Sequence, residues 1–389
     1  MRQMMASVTH RVREMSLEER PVPVPGPGEV LIKVRHVGIC GSDLHFYRQG
    51  FERENLFPKI LGHECSGAIV AFGSNCAQEV DARGVNFTSS ENSGFGDRLA
   101  QGVASEGDCA PGEPAQEKTV FDGRGNALAA GDLVAVEPGA PCGECEWCRR
   151  GEYNLCPNLR FLSAFHDDGC LCEYLAFPAR MCHRLPAGMD TLCGAMLEPF
   201  AVGLHAAARA EAAPGKSAAL IGAGCIGIMT LLALRLRGVE EVFVHDLSDF
   251  RLRRAQELGA LCAGDQDFTA GVLESTGGRG VDIAVDCTGS AAGAYSLPGL
   301  CRRGGVCMQV GNIGRDAPFD YYNFYEKELE LRGVFRYRDC YPAAIAAVSA
   351  GKIDLRALAD RVFPFAQAPE AFEYALTHSE ETLKVMIEL

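Results

Sequence analysis

Ala218-Ala219-Leu220-Ile221-Gly222-Ala223-Gly224-Cys225-Ile226-Gly227 is the stretch that decides the fold. A short apolar run opens into G-x-G-x-x-G, a helical stretch follows over 228–236, and a second apolar run over 242–245 ends on Asp246. Strand, glycine turn, helix, strand and acid in this order make a βαβ unit of a parallel sheet and a dinucleotide-binding fingerprint. Gly222 permits the tight turn, Gly224 lets a pyrophosphate reach the backbone, and Gly227 lets the helix close on the sheet. With Ile226 these are the candidate coenzyme contacts, because unpaired N–H groups and the helix dipole favour phosphate there. Asp246 should accept bonds from the adenosine ribose hydroxyls and repel a 2′-phosphate, so NAD is expected rather than NADP. Arg251 either flanks the adenine or is a solvated helix residue.

Working outward, the alternation continues. Asp282-Ile283-Ala284-Val285-Asp286-Cys287 and Gly305-Val306-Cys307-Met308-Gln309-Val310-Gly311 read as further strands of the same sheet. Upstream, helical spacing appears over 201–210, just after a change of texture at Pro199. Before that, Val30-Leu31-Ile32-Lys33-Val34, Ile60-Leu61, Gly67-Ala68-Ile69-Val70 and Leu133-Val134-Ala135-Val136 are short strands with Gly/Pro punctuation and no long helix, the pattern of a small β-barrel-like domain. Residues 77–127 lose any period and read as a surface loop or a partly disordered insertion, with a lid or interaction segment as the functional alternative.

The 389 residues bear a net charge of -14, which excludes nucleic-acid binding by bulk electrostatics. No apolar run approaches the roughly 18–20 residues of a membrane span. Residues 1–10 have no apolar signal core and Leu389 does not end a peroxisomal tripeptide, so cytoplasm is the expectation. Eighteen cysteines in a chain this long fit a reducing compartment in which some of them hold metal. Cys142, Cys145, Cys148 and Cys156 form C-x2-C-x2-C-x7-C, suited to a closed tetrahedral zinc; disulfides are the competing reading. A dispersed set, Cys40, His63-Glu64 and Glu198, contains competent zinc ligands that spacing alone does not assemble. A buried structural Cys40 and a surface His63 are the alternative.

Taken together, Gly38-Ile39-Cys40-Gly41-Ser42-Asp43-Leu44-His45, Gly62-His63-Glu64, the four-cysteine run, the glycine fingerprint and Asp246 resemble the zinc-dependent medium-chain alcohol dehydrogenases. Within them the resemblance is to the sorbitol/xylitol (polyol) dehydrogenases, supported by Val136-Glu137-Pro138-Gly139, Met196-Leu197-Glu198-Pro199 and Gly333-Val334-Phe335-Arg336-Tyr337. It covers the chain apart from 77–127. It implies an α/β protein with a GroES-like β-barrel catalytic domain over 1–200, which includes a zinc lobe over 140–158. A Rossmann domain follows over 201–335, and 336–389 return to the catalytic domain. It also implies a catalytic zinc on Cys40, His63 and Glu64, with Glu198 a further ligand directly or through water, and a structural zinc on the four cysteines. Asp43 would orient His63, and Ser42 and His45 would relay the proton. Val310, Gly311, Val334, Phe335 and Arg336 would contact NAD. Phe46, Phe161, Glu198, Arg336 and Tyr337 would contact the substrate, with Phe46 standing where the family often has a tyrosine. The implied reaction is hydride transfer between a polyol and its ketose, in a homotetramer or homodimer, with another zinc alcohol dehydrogenase activity (on L-idonate, threonine or a simple secondary alcohol) as the alternative. A non-catalytic nucleotide-binding relative is the reading from a different class, and the presence of Cys40, His63 and Ser42 argues against it.

Overall fold

One uninterrupted helix, Thr191–Arg209, joins the two halves of the chain. The computed structural model describes residues 2–50, 56–73, 120–164, 166–261, 263 and 267–389. Asp190 starts this helix by accepting a hydrogen bond from the Cys193 N–H at 2.8 Å. The sequence placed helical spacing only from 201, because proline removes an N–H and crowds the preceding turn. The helix nevertheless runs through Pro199, so the expected domain boundary at 200/201 falls inside it. At 19 residues and a mean hydropathy of 1.2 it also reaches membrane-spanning length, contrary to the sequence expectation. Its most apolar window is 83% buried within the protein, so this apolarity serves the core. One side packs on the barrel strands Glu29–Gly38, Glu64–Phe72 and Leu133–Val136, another on the nucleotide-domain helix Cys225–Leu236.

Burial pushes the His205 imidazole of this helix down to about 4, with Arg338 and Arg209 adding repulsion. The folded chain therefore holds fewer protons here than the unfolded chain between about pH 4 and 6.5. This contribution to stability is present above the ordinary histidine value and is lost as the pH falls toward 4, on the order of 2 kcal/mol. His205→Gln should accordingly flatten the acid side of the stability profile. Urea midpoints at pH 7.5 and 5 check this, and equal slopes for the two proteins would refute it.

The nucleotide-binding half is a five-stranded parallel sheet in the order Glu241–His245, Ser217–Ile221, Val281–Asp286, Cys301–Gln309, Glu330–Gly333. A parallel bridge between Phe243 and Leu261 extends it beyond the first of these. The chain leaves Ser217–Ile221 and moves to either side of it, which opens a crevice at the carboxyl ends of the strands. Hydrophobic layers cover both faces, one built on the joining helix and Cys225–Leu236 and the other on Phe243, Val272, Leu297 and Leu300.

The other half is a seven-stranded, mostly antiparallel sheet. Its central strand, Glu29–Gly38, pairs with Glu64–Phe72, Tyr174–Pro178 and Val385–Glu388. The C-terminal strands Arg361–Pro364 and Val385–Glu388 thus belong to this sheet, although the nucleotide domain and its connecting segments, residues 185–360, separate them from Cys182–Arg184 at its other edge. A helix, Gly41–Gln49, interrupts the strand pattern predicted there. Most of the 77–127 insertion lies outside the described residues. Within its described part, Val120–Phe121 and Ala127–Leu128 form a hairpin. The Asp122 carboxylate closes that turn by accepting from the N–H groups of Arg124, Asn126 and Arg184 at 2.7–3.1 Å.

Candidate active site

Strand Glu29–Gly38 is followed by Cys40, which is the N-cap of helix Gly41–Gln49. The antiparallel neighbour begins at Glu64, paired with Gly38, so register alone brings His63-Glu64 alongside Cys40. The ligand atoms of Cys40, His63 and Glu64 lie within 4.8 Å of one another. A thiol, an imidazole and a carboxylate converging from buried or half-buried positions are a donor set that fits a zinc ion with an open position.

Each donor is held from behind. Asp43 is fully buried and its Oδ2 lies 3.4 Å from His63 Nδ1, while its Oδ1 accepts from the Gly62 N–H at 3.1 Å and the Ser163 hydroxyl at 2.9 Å. Burial alone would raise the Asp43 carboxyl, but His63 and these donors outweigh it and hold the carboxyl below its ordinary range. Nδ1 thereby faces an anion, which leaves Nε2 for a metal. Glu64 is held by a residue that sequence reasoning missed. The Lys384 ammonium donates to Glu64 Oε1 at 2.7 Å and to the Ile39 carbonyl at 3.1 Å, with both charged groups buried. The one available signal was a lysine within the apolar strand Val385–Glu388 and its lead-in, since a buried lysine requires a partner.

Glu198 lies outside this trio. Its Oε1 accepts from the Tyr337 hydroxyl at 3.0 Å, and burial pushes it up to about 7, with Glu64 acting in the same direction against His63, Tyr337 and Lys384. Phe161, Arg336 and Tyr337 line one cavity with Glu137, Tyr153 and Asn154. The Phe161 ring sits between His63, 5.5 Å away, and the Arg336 guanidinium, 4.3 Å from its centroid. Phe46 packs partly on the barrel core instead and does not line this cavity. Ser42 is half-buried and His45 exposed, three residues apart and so on one face of their helix.

The four cysteines converge as expected. The sulfur atoms of Cys142, Cys145, Cys148 and Cys156 lie within 4.8 Å of one another, with neither disulfide partner chosen. Although burial raises it, the Cys142 thiol is held down to about 7 by the N–H groups of Glu144 and Cys145, while burial and its neighbours push Cys148 up to about 12. Four thiolates this close need a cation among them, and the donor set fits a closed zinc site.

The glycine turn lies where the fingerprint put it. Gly222 has φ +97, Gly224 is the N-cap of Cys225–Leu236, and Asp246 accepts from the Ala223 N–H at 2.7 Å and the Ser248 N–H at 2.9 Å. The helix includes Ile226 and starts three residues earlier than the sequence suggested. Arg251 lies 3.8 Å from Asp246 and donates to the Ser379 carbonyl, so it tethers the C-terminal segment as well as flanking the turn. Val310 and Gly311 leave the neighbouring strand with their N–H groups on the Asp286 carbonyl. The Val334 N–H reaches the Gln309 carbonyl, and Phe335 is exposed beside it. These residues follow the carboxyl ends of their strands, at one edge of the sheet.

Comparison with known proteins agrees with this arrangement. Residues 26–111 and 115–187 match the alcohol dehydrogenase GroES-like domain, and 225–350 match the zinc-binding dehydrogenase domain. The chain is 34% identical to a sorbitol dehydrogenase of Bacillus subtilis over 99% of its own length and 97% of the relative's. It is 32% identical to a sorbitol dehydrogenase of Gallus gallus, covering 99% and 96%. The crystal structure of an Escherichia coli oxidoreductase/dehydrogenase of unknown specificity superposes with a TM-score of 0.83 at 31% identity, covering 100% of this chain and 99% of that one.

Proposed function

The chain belongs to the zinc-dependent alcohol dehydrogenase family of oxidoreductases, and from that premise we propose that it interconverts a polyol of the sorbitol or xylitol class and its ketose with NAD. The observation that supports the substrate class is that Phe161, whose ring lies 5.5 Å from that of His63, stands with Arg336 and Tyr337 around one small cavity, and that the Tyr337 hydroxyl donates to Glu198. A hydroxyl-rich chain offers hydrogen-bond partners to Arg336, Tyr337 and Glu198 that a simple alcohol lacks.

In this reading Cys40, His63 and Glu64 hold the catalytic zinc, and the four cysteines hold a structural one. When bound, zinc supplies the Lewis acidity that makes a secondary alcohol acidic enough to react near neutral pH, and NAD accepts the hydride. The protein's part is positioning and proton handling. Asp43 fixes the His63 ring and Lys384 fixes the Glu64 carboxylate. Ser42 Oγ takes the substrate proton at the half-buried end of its helix face, and His45 delivers it to solvent at the exposed end. Phe161 keeps water from one side of the reacting carbon. The Asp246 carboxylate would accept from the ribose hydroxyls and repel a 2′-phosphate, which favours NAD.

The test is NADH formation across sorbitol, xylitol, L-idonate, threonine and 2-propanol, repeated after chelation and after zinc is restored. Polyols should exceed 2-propanol in kcat/KM by at least about tenfold, and chelation should abolish the signal reversibly. Oxidation of 2-propanol without any polyol would overturn the substrate assignment.

A further inference from the structure

The loop between Cys148 and Cys156 contains the turn Tyr153–Leu155, and this turn grips the segment that bears Arg336 and Tyr337. Asn154 is buried, donates from Nδ2 to the Phe335 carbonyl at 2.9 Å, and accepts at Oδ1 from Arg338 at 3.2 Å. The Tyr153 hydroxyl accepts from the Asp339 N–H at 2.6 Å and donates to buried Glu137 at 2.7 Å. Glu152 takes the other end of the Arg338 guanidinium at 3.4 Å. Three consecutive lobe residues thus hold both ends of 335–339. That segment needs bracing, because Arg336 and Asp339 adopt left-handed φ values of +55 and +53 that side chains with a Cβ disfavour. Tyr153 and Asn154 also line the same cavity as Arg336 and Tyr337.

We propose that the four-cysteine lobe is a positioning element for the substrate: closure of the Cys142–Cys156 cluster sets Tyr153 and Asn154, which hold Arg336 and Tyr337 in place against Glu198. The proposal rests on the assignment of Arg336 and Tyr337 to the substrate. It assigns positioning roles to Tyr153 and Asn154, neither of which has a place in the chemistry itself. Asp246 is partnered by Ala223, Ser248 and Arg251, and Gly222 packs beside Thr288, so the adenosine half of the coenzyme should be indifferent to the lobe.

Asn154→Ala in the full-length, zinc-loaded enzyme should raise KM for sorbitol or xylitol at least about tenfold, with a smaller change in kcat. The inhibition constant of ADP-ribose and the zinc content should not change. In the Arg336→Ala background the same substitution should have little further effect, because both act on one contact. The only tryptophan, Trp147, lies inside the lobe between Cys145 and Cys148 and gives a readout independent of turnover. With ADP-ribose bound, sorbitol should alter Trp147 emission in the wild type and not in Asn154→Ala. Asn154→Asp, which removes the amide donor and keeps the shape, repeats the test if the alanine variant folds poorly. An unchanged KM, or equal losses for substrate and ADP-ribose, would overturn the proposal. Failure of every polyol to react would instead defeat the substrate assignment, and KM would then be read with whichever alcohol of the panel turns over best.

Discussion

Cys40→Ser should cost at least about three orders of magnitude in kcat/KM and remove one of two metal ions, because a site of three protein ligands does not survive the loss of its thiolate. The expectation is specific to position. Cys40 caps helix Gly41–Gln49, and its backbone N–H meets Asp43 Oδ2 at 3.3 Å, an arrangement serine can keep. The fold should therefore persist, and the four-cysteine cluster is built from a separate run of chain. Metal analysis should fall from about two ions per chain to about one, while NADH still binds, since the glycine turn lies on the other domain. A variant that kept both ions and activity within tenfold of wild type would remove Cys40 from the metal site. The companion substitution Lys384→Met should give a milder defect in the same direction, because it leaves Glu64 buried without its cation.

The nucleotide turn offers the second large effect, and two glycines within it separate binding from folding. At Gly227 a Cβ would lie 1.9 Å from the Gly222 carbonyl oxygen, a backbone atom that cannot move without opening the turn. At Gly224 a Cβ would meet nothing nearer than the end of the Arg251 side chain at 3.7 Å, and its φ of -65 suits any residue. Gly227→Ala should lower both the melting temperature and NADH affinity. Gly224→Ala should leave the melting temperature within about 2 °C, since no native contact is strained, yet weaken NADH by about 100-fold, or about 2.7 kcal/mol. Fluorescence titration of NADH beside thermal melts reads both quantities. If Gly224→Ala bound NADH normally, the coenzyme's pyrophosphate would not lie against this turn.

What was legible in the sequence was whatever the chain places close together by itself. The glycine turn needs only ten residues and one following strand, and the four thiols fall within fifteen residues. Helix Thr191–Arg209 was misjudged at its start because Pro199 is a strong local signal that the packing on both sides overrides. The hairpin at the end of the insertion was missed because its strands are two residues long and depend on Asp122, whose carboxylate also caps Arg184, sixty-two residues away in sequence.

The sequence by itself determined the parallel sheet, the coenzyme turn and the four-cysteine cluster, because local spacing restricts what so few residues can do. Membership of the Cys40, His63 and Glu64 set could be named only through a resemblance. Their convergence follows from the register of Glu29–Gly38 on Glu64–Phe72, a nonlocal pairing. Only the tertiary structure decided that Lys384 lies behind Glu64, that Tyr337 meets Glu198, and that Asn154 supports Phe335. Those partners stand 320, 139 and 181 residues apart. No periodicity or motif spans such distances. The contacts exist because the last strands return to the first sheet and carry the far end of the chain to a site its beginning had half built.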